Sequence, residues 1–465
     1  MPETNKDSQN QEQDQNVNAA PPVVAIIGAG PAGLYAARKF SRDGYKVVLI
    51  NRDLKPGGLA EYGIYHDKHK LKNGLRKQFT KILADENIFY VGGVEIGDHK
   101  SFNLEKLASF PFGALLFTIG AQGTRMLGLN GEDNAKGVFH AKDLVYHFNQ
   151  LPPFASQEFD IGKRVGIIGM GNVMADIAQW LIVDKHVEEV TVLARRGPAE
   201  RAYTDKEVAR FFERLDLEDL DGELQTISDK LEAVDQNVEE LRTALMKPLK
   251  KAEETNSESK FRFRFLVSTQ EILKDEETQR VTGVRIERNA LVYKNDVLRP
   301  TGTGETEVIP MDTLIYAIGD QVDSSVGLPY KWGKYIVSPD AHPRVAERPR
   351  YEVYDPETQS IRAGWFVGGW ARAASDGLVG KARADGETAV EEVMEYLQGS
   401  DQAPGDFATI TEQLLNYLEQ ENIAYVTKED VQKLESIERE KAKENNTVIF
   451  KFNTNEEMFE AIGKV

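Results

Sequence analysis

The chain contains no cysteine. This excludes structural disulfides, a redox-active Cys-x-x-Cys pair and cysteine-held iron–sulfur clusters, and it points any redox chemistry toward a bound organic cofactor. Nowhere does the chain carry the roughly 18 consecutive apolar residues that a membrane span needs. Met1–Ala20 is rich in Asn, Gln, Asp and Glu. It has neither the apolar centre of a signal peptide nor the Arg/Ser bias of a transit peptide, and reads as the disordered, solvated tail of a cytoplasmic protein. Positive charge is scarce: 57 Lys and Arg stand against 75 Asp and Glu, a net charge of −18. Such a balance argues against nucleic acid or an anionic membrane as partner. What is plentiful is apolar sequence, 41% of 465 residues, enough for two or three domains with real cores.

The most informative stretch is Val23–Gly33, VVAIIGAGPAG. A short β-branched run ends in Gly28-x-Gly30-x-x-Gly33, and Leu34–Ser41 continues at helical spacing. This is the strand–turn–helix of a dinucleotide-binding Rossmann unit: Gly28 for the tight turn, Gly30 for backbone approach to a pyrophosphate, Gly33 for close helix–strand packing. Pro31 and Ala32 open the helix, whose N-terminal amides face the phosphates. The second strand, Tyr45–Ile50, ends in Asn51-Arg52-Asp53. The usual ribose-binding acid is displaced there, leaving Asn51 or Asp53 as the candidate. A Gly-rich connection, Lys55–Asn73, brings backbone at Gly57-Gly58 close to something flat or bulky, or is an ordinary surface loop. A helix is expected over Gly74–Glu86, then strands over Phe89–Ile96 and Ala114–Gly120.

The pattern then restarts. Arg164–Ile168 reads as a strand, Gly169-Met-Gly171 as the turn, Asn172–Ile182 as the helix and Glu189–Ala194 as the next strand. Met174 stands at the third glycine position, and the second strand ends in Arg195-Arg196 instead of an acid. Paired guanidiniums grip a 2′-phosphate that a carboxylate would repel, so this unit is expected to prefer NADP(H); the alternative is a surface ion pair. Leu215–Glu258 is charged, with Leu224, Ile227, Leu231, Val234, Val238, Leu241 and Leu245 at helical intervals. It reads as an amphipathic helical insertion, either stabilising or dimer-forming, or partner-docking. Phe261–Ser268, Gly283–Arg288 and Leu314–Gly319 are expected to complete this domain as strands. Pro339–Ser360 reads as a loop, and Gly364–Val367 as a last strand before Gly368-Gly369-Trp370 and a helix, Leu378–Gln398. Beyond a linker at Asp401–Gly405, Ile410–Val465 reads as a small α/β tail.

Six motifs in order, GAGPAGLYAA (Gly28–Ala37), GLAEYGI (Gly58–Ile64), Lys72-Asn73, GMGNVMADIA (Gly169–Ala178), RRGPAERAYTDKE (Arg195–Glu207) and GGWARAASDG (Gly368–Gly377), resemble those of adrenodoxin reductase and the related bacterial ferredoxin–NADP reductases. The likeness runs from about Pro22 to Gln398. It implies an α/β chain of two Rossmann-like three-layer domains: after the 1–20 tail, an FAD domain split over 21–125 and 321–465, and an NADP domain over 126–320 with the insertion at 215–258. It implies FAD held at the first glycine turn, with Asn51, Arg52, Gly58, Leu59, Gly63 and Gly120 around it. It implies that Gly369, Trp370 and Gly377 bring backbone to flavin and nicotinamide, with Leu378 and Val379 next in the chain. It places Gly171, Asn172 and Val173 at the NADP pyrophosphate and Arg195 and Arg196 at the 2′-phosphate. It implies that Asp176 and Glu207 position the reacting nicotinamide; His69, one place late relative to the family's Asp-His, is a further candidate or a plain surface histidine. The family's Arg-Gly-Pro-Thr-Gly is here Ala373–Gly377, AASDG.

The implied reaction passes hydride from NADPH to flavin N5 and single electrons onward to a ferredoxin or flavodoxin, with no metal in the chain itself. Arg210, Arg214, Lys247, Lys250 and Lys251 are the basic candidates for docking the carrier. Alternatives are an FAD/NADPH oxidoreductase acting on a small molecule or quinone, and a non-catalytic, nucleotide-responsive subunit. A glutamate-synthase-type small subunit shares the fold but needs cluster cysteines. The chain is expected to be a monomer or homodimer.

Overall fold

A computed structural model describes residues 21–338, 351–373, 379–400 and 405–464. The expected tail Met1–Ala20, most of the linker at Asp401–Gly405, the first part of the loop at Pro339, and Gly377 and Leu378 lie outside the described residues. The chain divides into two compact units. Of the described residues, one unit takes those within 21–58, 75–120 and 323–432, and the other those within 59–74, 121–322 and 433–464.

The first unit is built on a seven-stranded sheet. Its centre is β1 (Val24–Ile27), followed by α1 (Pro31–Arg42) and β2 (Val47–Asn51). β1 pairs in parallel with β2 on one side and with Ala114–Phe117 on the other. Ile88–Gly92 extends the sheet beyond β2, and Ser360–Val367 extends it beyond Ala114–Phe117. Every residue of β1 and β2 is buried, which is why both read as apolar runs, broken only by Asn51 at the end of β2: a parallel strand covered on both faces has no solvent side to mark. Antiparallel edges finish the sheet, Glu352–Asp355 at one end and Val426–Thr427 at the other. The helix Val379–Gln398 packs on α1. Its Gly386 leaves no room for a Cβ against the Ala32 carbonyl.

The second unit repeats the plan with β3 (Arg164–Ile168), α2 (Asn172–Gln179) and β4 (Glu189–Leu193). Five parallel strands run in the order Val138–His140, Thr313–Tyr316, β3, β4, Lys260–Arg264. Phe261–Ser268, expected as one strand, is two. The chain breaks at Leu266, in the left-handed region at φ 52°, and Val267–Lys274 leaves for a separate antiparallel sheet with Val281–Lys294 and Val297–Pro310. The insertion forms helices Leu217–Glu232 and Val238–Leu245. Its apolar stripe is consumed within this unit: Leu220, Leu224, Ile227 and Leu231 are buried in the same core as β3 and β4. Glu223, buried beneath it, accepts from Arg288 (2.9 Å) and the Phe265 amide (2.8 Å). That leaves the stripe nothing to offer a partner and favours the stabilising reading.

The helix expected at Gly74 begins at His69 and runs to Leu83. Gly74 sits inside it with no described atom near its Cβ position, and one glycine in an exposed helix interior costs only about 1 kcal/mol. Among the described residues no helix is long and apolar enough to cross a membrane, and no cluster of three His, Cys, Asp or Glu could hold a metal ion.

Candidate functional site

The three glycines of the first turn have three separable physical roles. Gly28 is at φ 106°, and a Cβ there would lie 2.7 Å from the Thr118 carbonyl oxygen. A Cβ on Gly33 would drive into the Gly28 carbonyl. On Gly30 it would meet no described atom within 4 Å. Gly30 is also the N-cap of α1, with Pro31 at the first position and no side-chain cap. The first amides of α1, beginning at Ala32, therefore lack a side-chain cap beside open space, which is the arrangement that receives an anion. Thr118 Oγ1 donates to the Gly28 carbonyl (2.8 Å) and fixes the turn from behind. These features fit a dinucleotide pyrophosphate.

Asn51 is buried, and its amide is engaged within the protein. Its Oδ1 accepts from Ala29 N–H (2.8 Å), and its Nδ2 donates to the carbonyls of Asp53 (2.8 Å) and Lys55 (3.2 Å). It ties the glycine turn to the loop after β2, a role that the expected ribose contact did not foresee. Arg52 is exposed and paired with Asp53 at 2.9 Å. Gly57 N–H donates to the Ala29 carbonyl (2.8 Å), and a Cβ on Gly58 would lie 3.1 Å from Gly30 Cα. The Gly-Gly approach is thus made toward the phosphate turn itself. Leu59 follows directly and is half-buried against Tyr62, Tyr146 and Leu151. Gly63 closes that short helix, where a Cβ would strike Leu59 at 2.7 Å. Gly120, at φ 71°, turns the chain after Thr118 and Ile119. Gly369, at φ 66°, presses against α1, where its Cβ would lie 2.6 Å from that of Ala32. Its amide donates to Asp385 (2.6 Å), a carboxylate also bound by Tyr351 (3.1 Å) and Arg372. Trp370 is half-buried in this turn and Val379 is half-buried at the start of the next helix.

In the second unit Gly169 (φ 119°) leaves no room for a Cβ against the Ala317 carbonyl, while Gly171 faces open space and N-caps α2 without a side-chain bond. Met174 is fully buried in the core beneath. Val173 is 46% exposed, unusual for a valine and fitting for the open side of a turn. Asn172 Oδ1 accepts from Thr204 N–H (2.9 Å), and Met170 O from Ala202 N–H (3.0 Å). These bonds dock the loop that carries Glu207 onto the glycine turn. Arg195 and Arg196 leave the end of β4, which is paired directly with β3. Their backbone is pinned: the carbonyl of Arg195 accepts from Asn289 Nδ2 (3.1 Å), that of Arg196 from Leu266 N–H (3.2 Å). Both side chains are exposed, and neither forms an ion pair among the described residues, against the surface-pair alternative.

The basic group set against Asp176 is Lys68. Its Nζ lies 2.5 Å from Glu207 Oε2 and 3.6 Å from Asp176 Oδ1. Asp176 and Glu207 are thereby brought together around a lysine, where the sequence had offered His69. Burial pushes the Asp176 carboxyl up to about 6, with Lys68 pulling it down and Glu207 pushing it up. Asp67 beside them is bound by Arg210. Of the basic docking candidates, Arg210 and Arg214 are therefore neutralised, by Asp67 and Glu213. Lys247, Lys250 and Lys251 are exposed on a 3₁₀ turn and form no ion pair among the described residues. Sequence reasoning missed Lys68, Thr118 and Asp385. Only Lys68 left a signal, in the order Asp67-Lys68-His69.

The sequence model of the pyridine nucleotide-disulphide oxidoreductases matches residues 22–254. The chain is 28% identical over 455 residues to the NADPH-ferredoxin reductase FprA of Mycobacterium leprae, covering 90% of this chain and 93% of that one. It is 28% identical to the mitochondrial NADPH:adrenodoxin oxidoreductase of Salvelinus fontinalis, covering 79% and 76%. Among solved structures, Mycobacterium tuberculosis FprA in complex with NADPH superposes with a TM-score of 0.76 at 24% identity, over 95% of this chain and 99% of that one. The likeness therefore reaches beyond Pro22–Gln398 into the C-terminal segment.

Proposed function

Because the chain belongs to the pyridine nucleotide-disulphide oxidoreductase family, we propose that it is an NADPH-dependent flavoprotein reductase moving electrons between NADP(H) and a one-electron carrier, a ferredoxin or flavodoxin. The family name includes a disulphide, but a chain without cysteine has no dithiol of its own to relay through, so its electrons leave for an external acceptor. Relatives bearing the names NADPH-ferredoxin reductase and NADPH:adrenodoxin oxidoreductase support the same acceptor class. The observation that carries the reading is the pair of uncapped glycine turns, the second flanked by two arginines whose backbone is pinned and whose side chains form no ion pair among the described residues.

Bound FAD supplies the conversion between a two-electron donor and one-electron steps. Gly28, Gly30, Pro31, Ala32 and Gly33 would hold its pyrophosphate, with Gly58, Leu59, Gly369 and Trp370 bordering the flavin. Gly171, Asn172 and Val173 would receive the NADPH pyrophosphate. Arg195 and Arg196 would clamp the 2′-phosphate by charge-assisted, bidentate bonds, for which a planar guanidinium is suited. Glu207 and Asp176, joined through Lys68, would orient the nicotinamide end. Lys247, Lys250 and Lys251 are the surface left to attract an acidic carrier.

Anaerobic titration of the purified, flavin-loaded protein with NADPH and with NADH, followed at the flavin absorbance, tests the reading. NADPH is expected to bleach the flavin at far lower concentration than NADH, and ferredoxin or flavodoxin to restore the colour. A flavin that NADPH fails to bleach would refute the reductase reading; restoration by a quinone but by neither protein would move the acceptor to the small-molecule class.

A further inference from the structure

The C-terminal segment carries a lysine that the site described so far does not use. Lys451 Nζ lies 2.8 Å from Glu61 Oε1, and each side chain is only 4% exposed. The same ammonium donates to the Asn149 carbonyl (2.8 Å) and sits 4.5 Å from the centre of the Tyr62 ring. Asn149 also accepts through Oδ1 from Lys72 (2.5 Å), which in turn donates to the Ile64 carbonyl (3.2 Å). Glu61, Tyr62 and Ile64 belong to the stretch Gly58–Ile64 that begins against the Gly30 turn. Two buried lysines thus hold the back of that stretch, one of them from more than three hundred residues away in sequence.

The lysine is itself held. Phe450 and Phe452 flank it with ring centres 5.1 Å apart, Phe452 is buried, and Lys441 lies over both rings. A capping box, Thr454 with Glu457, starts the next helix three residues on. Lys433 Nζ donates to the Ile462 carbonyl (2.6 Å) and closes that helix back on its neighbour. A buried ion pair is a poor source of net stability, because two desolvated charges roughly cancel their attraction; what it supplies is a single defined geometry.

We propose that Lys451 is a positioning residue of the flavin site: through Glu61 it fixes the short helix Leu59–Tyr62, so that the C-terminal segment is a working part of the FAD-binding apparatus. This rests on the assignment of Gly58–Leu59 to the flavin border. Lys451→Met removes the ammonium that ties Glu61 to the C-terminal segment. The helix then moves or opens to reach water, and the flavin border moves with it.

The test uses the full chain, stripped of flavin and titrated with FAD, comparing wild type, Lys451→Met and the doubly neutral Lys451→Met/Glu61→Gln. FAD dissociation constants, the visible circular dichroism of the bound flavin and NADPH affinity are measured on each. Lys451→Met is expected to raise the FAD dissociation constant at least tenfold, about 1.4 kcal/mol, and to alter the flavin dichroism while NADPH affinity stays unchanged. The double variant is expected to return to within about threefold of wild type, because both desolvated charges of the pair are removed together. Wild-type FAD affinity and dichroism in Lys451→Met would overturn the proposal, as would parallel loss of FAD and NADPH affinity, the mark of general unfolding. If the wild-type chain itself takes up no FAD, the underlying assignment falls first and the proposal with it.

Discussion

Replacing Asp176 by asparagine probes the charged cluster most directly. Three groups face this carboxyl: Lys68 at 3.6 Å, Glu207 beyond the same ammonium, and Asp67. Burial outweighs the lysine, so the carboxyl titrates at about 6 instead of 3.8. At about 1.4 kcal/mol per pH unit, the two protonation states differ by about 3 kcal/mol in their effect on folding. The sign is the reverse of the usual aspartate. A folded-state value above the unfolded one means that the folded protein binds this proton more tightly. The contribution to stability is therefore full below about pH 4 and lost as pH rises through 6. Asp176→Asn carries no such charge, and Lys68 keeps Glu207 as its partner. The variant is expected to be more stable than wild type by about 1–3 kcal/mol above pH 7, with the difference shrinking toward pH 4. Urea unfolding across pH 4.5–7.5 measures this, and the protonated-carboxyl infrared band missing from Asp176→Asn gives the titration independently. A stability difference that does not change with pH, or a band already gone at pH 5, would refute the reasoning. Removing the lysine instead, as Lys68→Met, is expected to carry the band to higher pH, since Lys68 is the group pulling the value down.

Arg195→Ala and Arg196→Ala should each raise the KM for NADPH roughly ten- to hundredfold, the worth of a charge-assisted bond, and leave that for NADH nearly unchanged; equal losses for both nucleotides in steady-state assays would remove the 2′-phosphate assignment. Gly30→Ala and Gly33→Ala should separate binding from folding. The Gly30 variant is expected to fold with a near-native melting temperature and to lose FAD affinity, since its Cβ meets only open space. The Gly33 variant is expected to melt far lower, because its Cβ collides with the Gly28 carbonyl; calorimetry of the two stripped proteins distinguishes them. Reversing Lys247, Lys250 and Lys251 to glutamate should raise the KM for an acidic ferredoxin and flatten its salt dependence while ferricyanide reduction stays constant; an unchanged salt slope would exclude this surface.

Both Rossmann cores were legible because their signals are local. An apolar run buried on both faces, a glycine at φ 106° or 119° and a helix opening without a side-chain cap are all consequences of a dozen consecutive residues. The same holds for Arg195-Arg196, whose place follows from counting along one βαβ unit. Where reading stopped short, the deciding contact was distant. Phe261–Ser268 is continuous in pattern, yet it breaks at Leu266, whose carbonyl meets Asn289 and whose amide meets Arg196. The insertion's apolar spacing reads alike for a free surface and a buried one, and only packing against β3 and β4 told them apart.

The sequence by itself determined the two glycine turns, their order, the place of the arginine pair after the second strand of the second unit, and the lack of any cysteine thiol in the chain. Each depends on residue type and short spacing, which the chain states directly. Tertiary structure alone decided that Lys68 stands between Asp176 and Glu207, that Asn51 is engaged internally, and that Lys451 reaches Glu61. A charge buried beside a partner hundreds of residues away has no spacing to betray it. Its pairing is set by which surfaces the packed core brings within about 3 Å, the reach of a hydrogen bond.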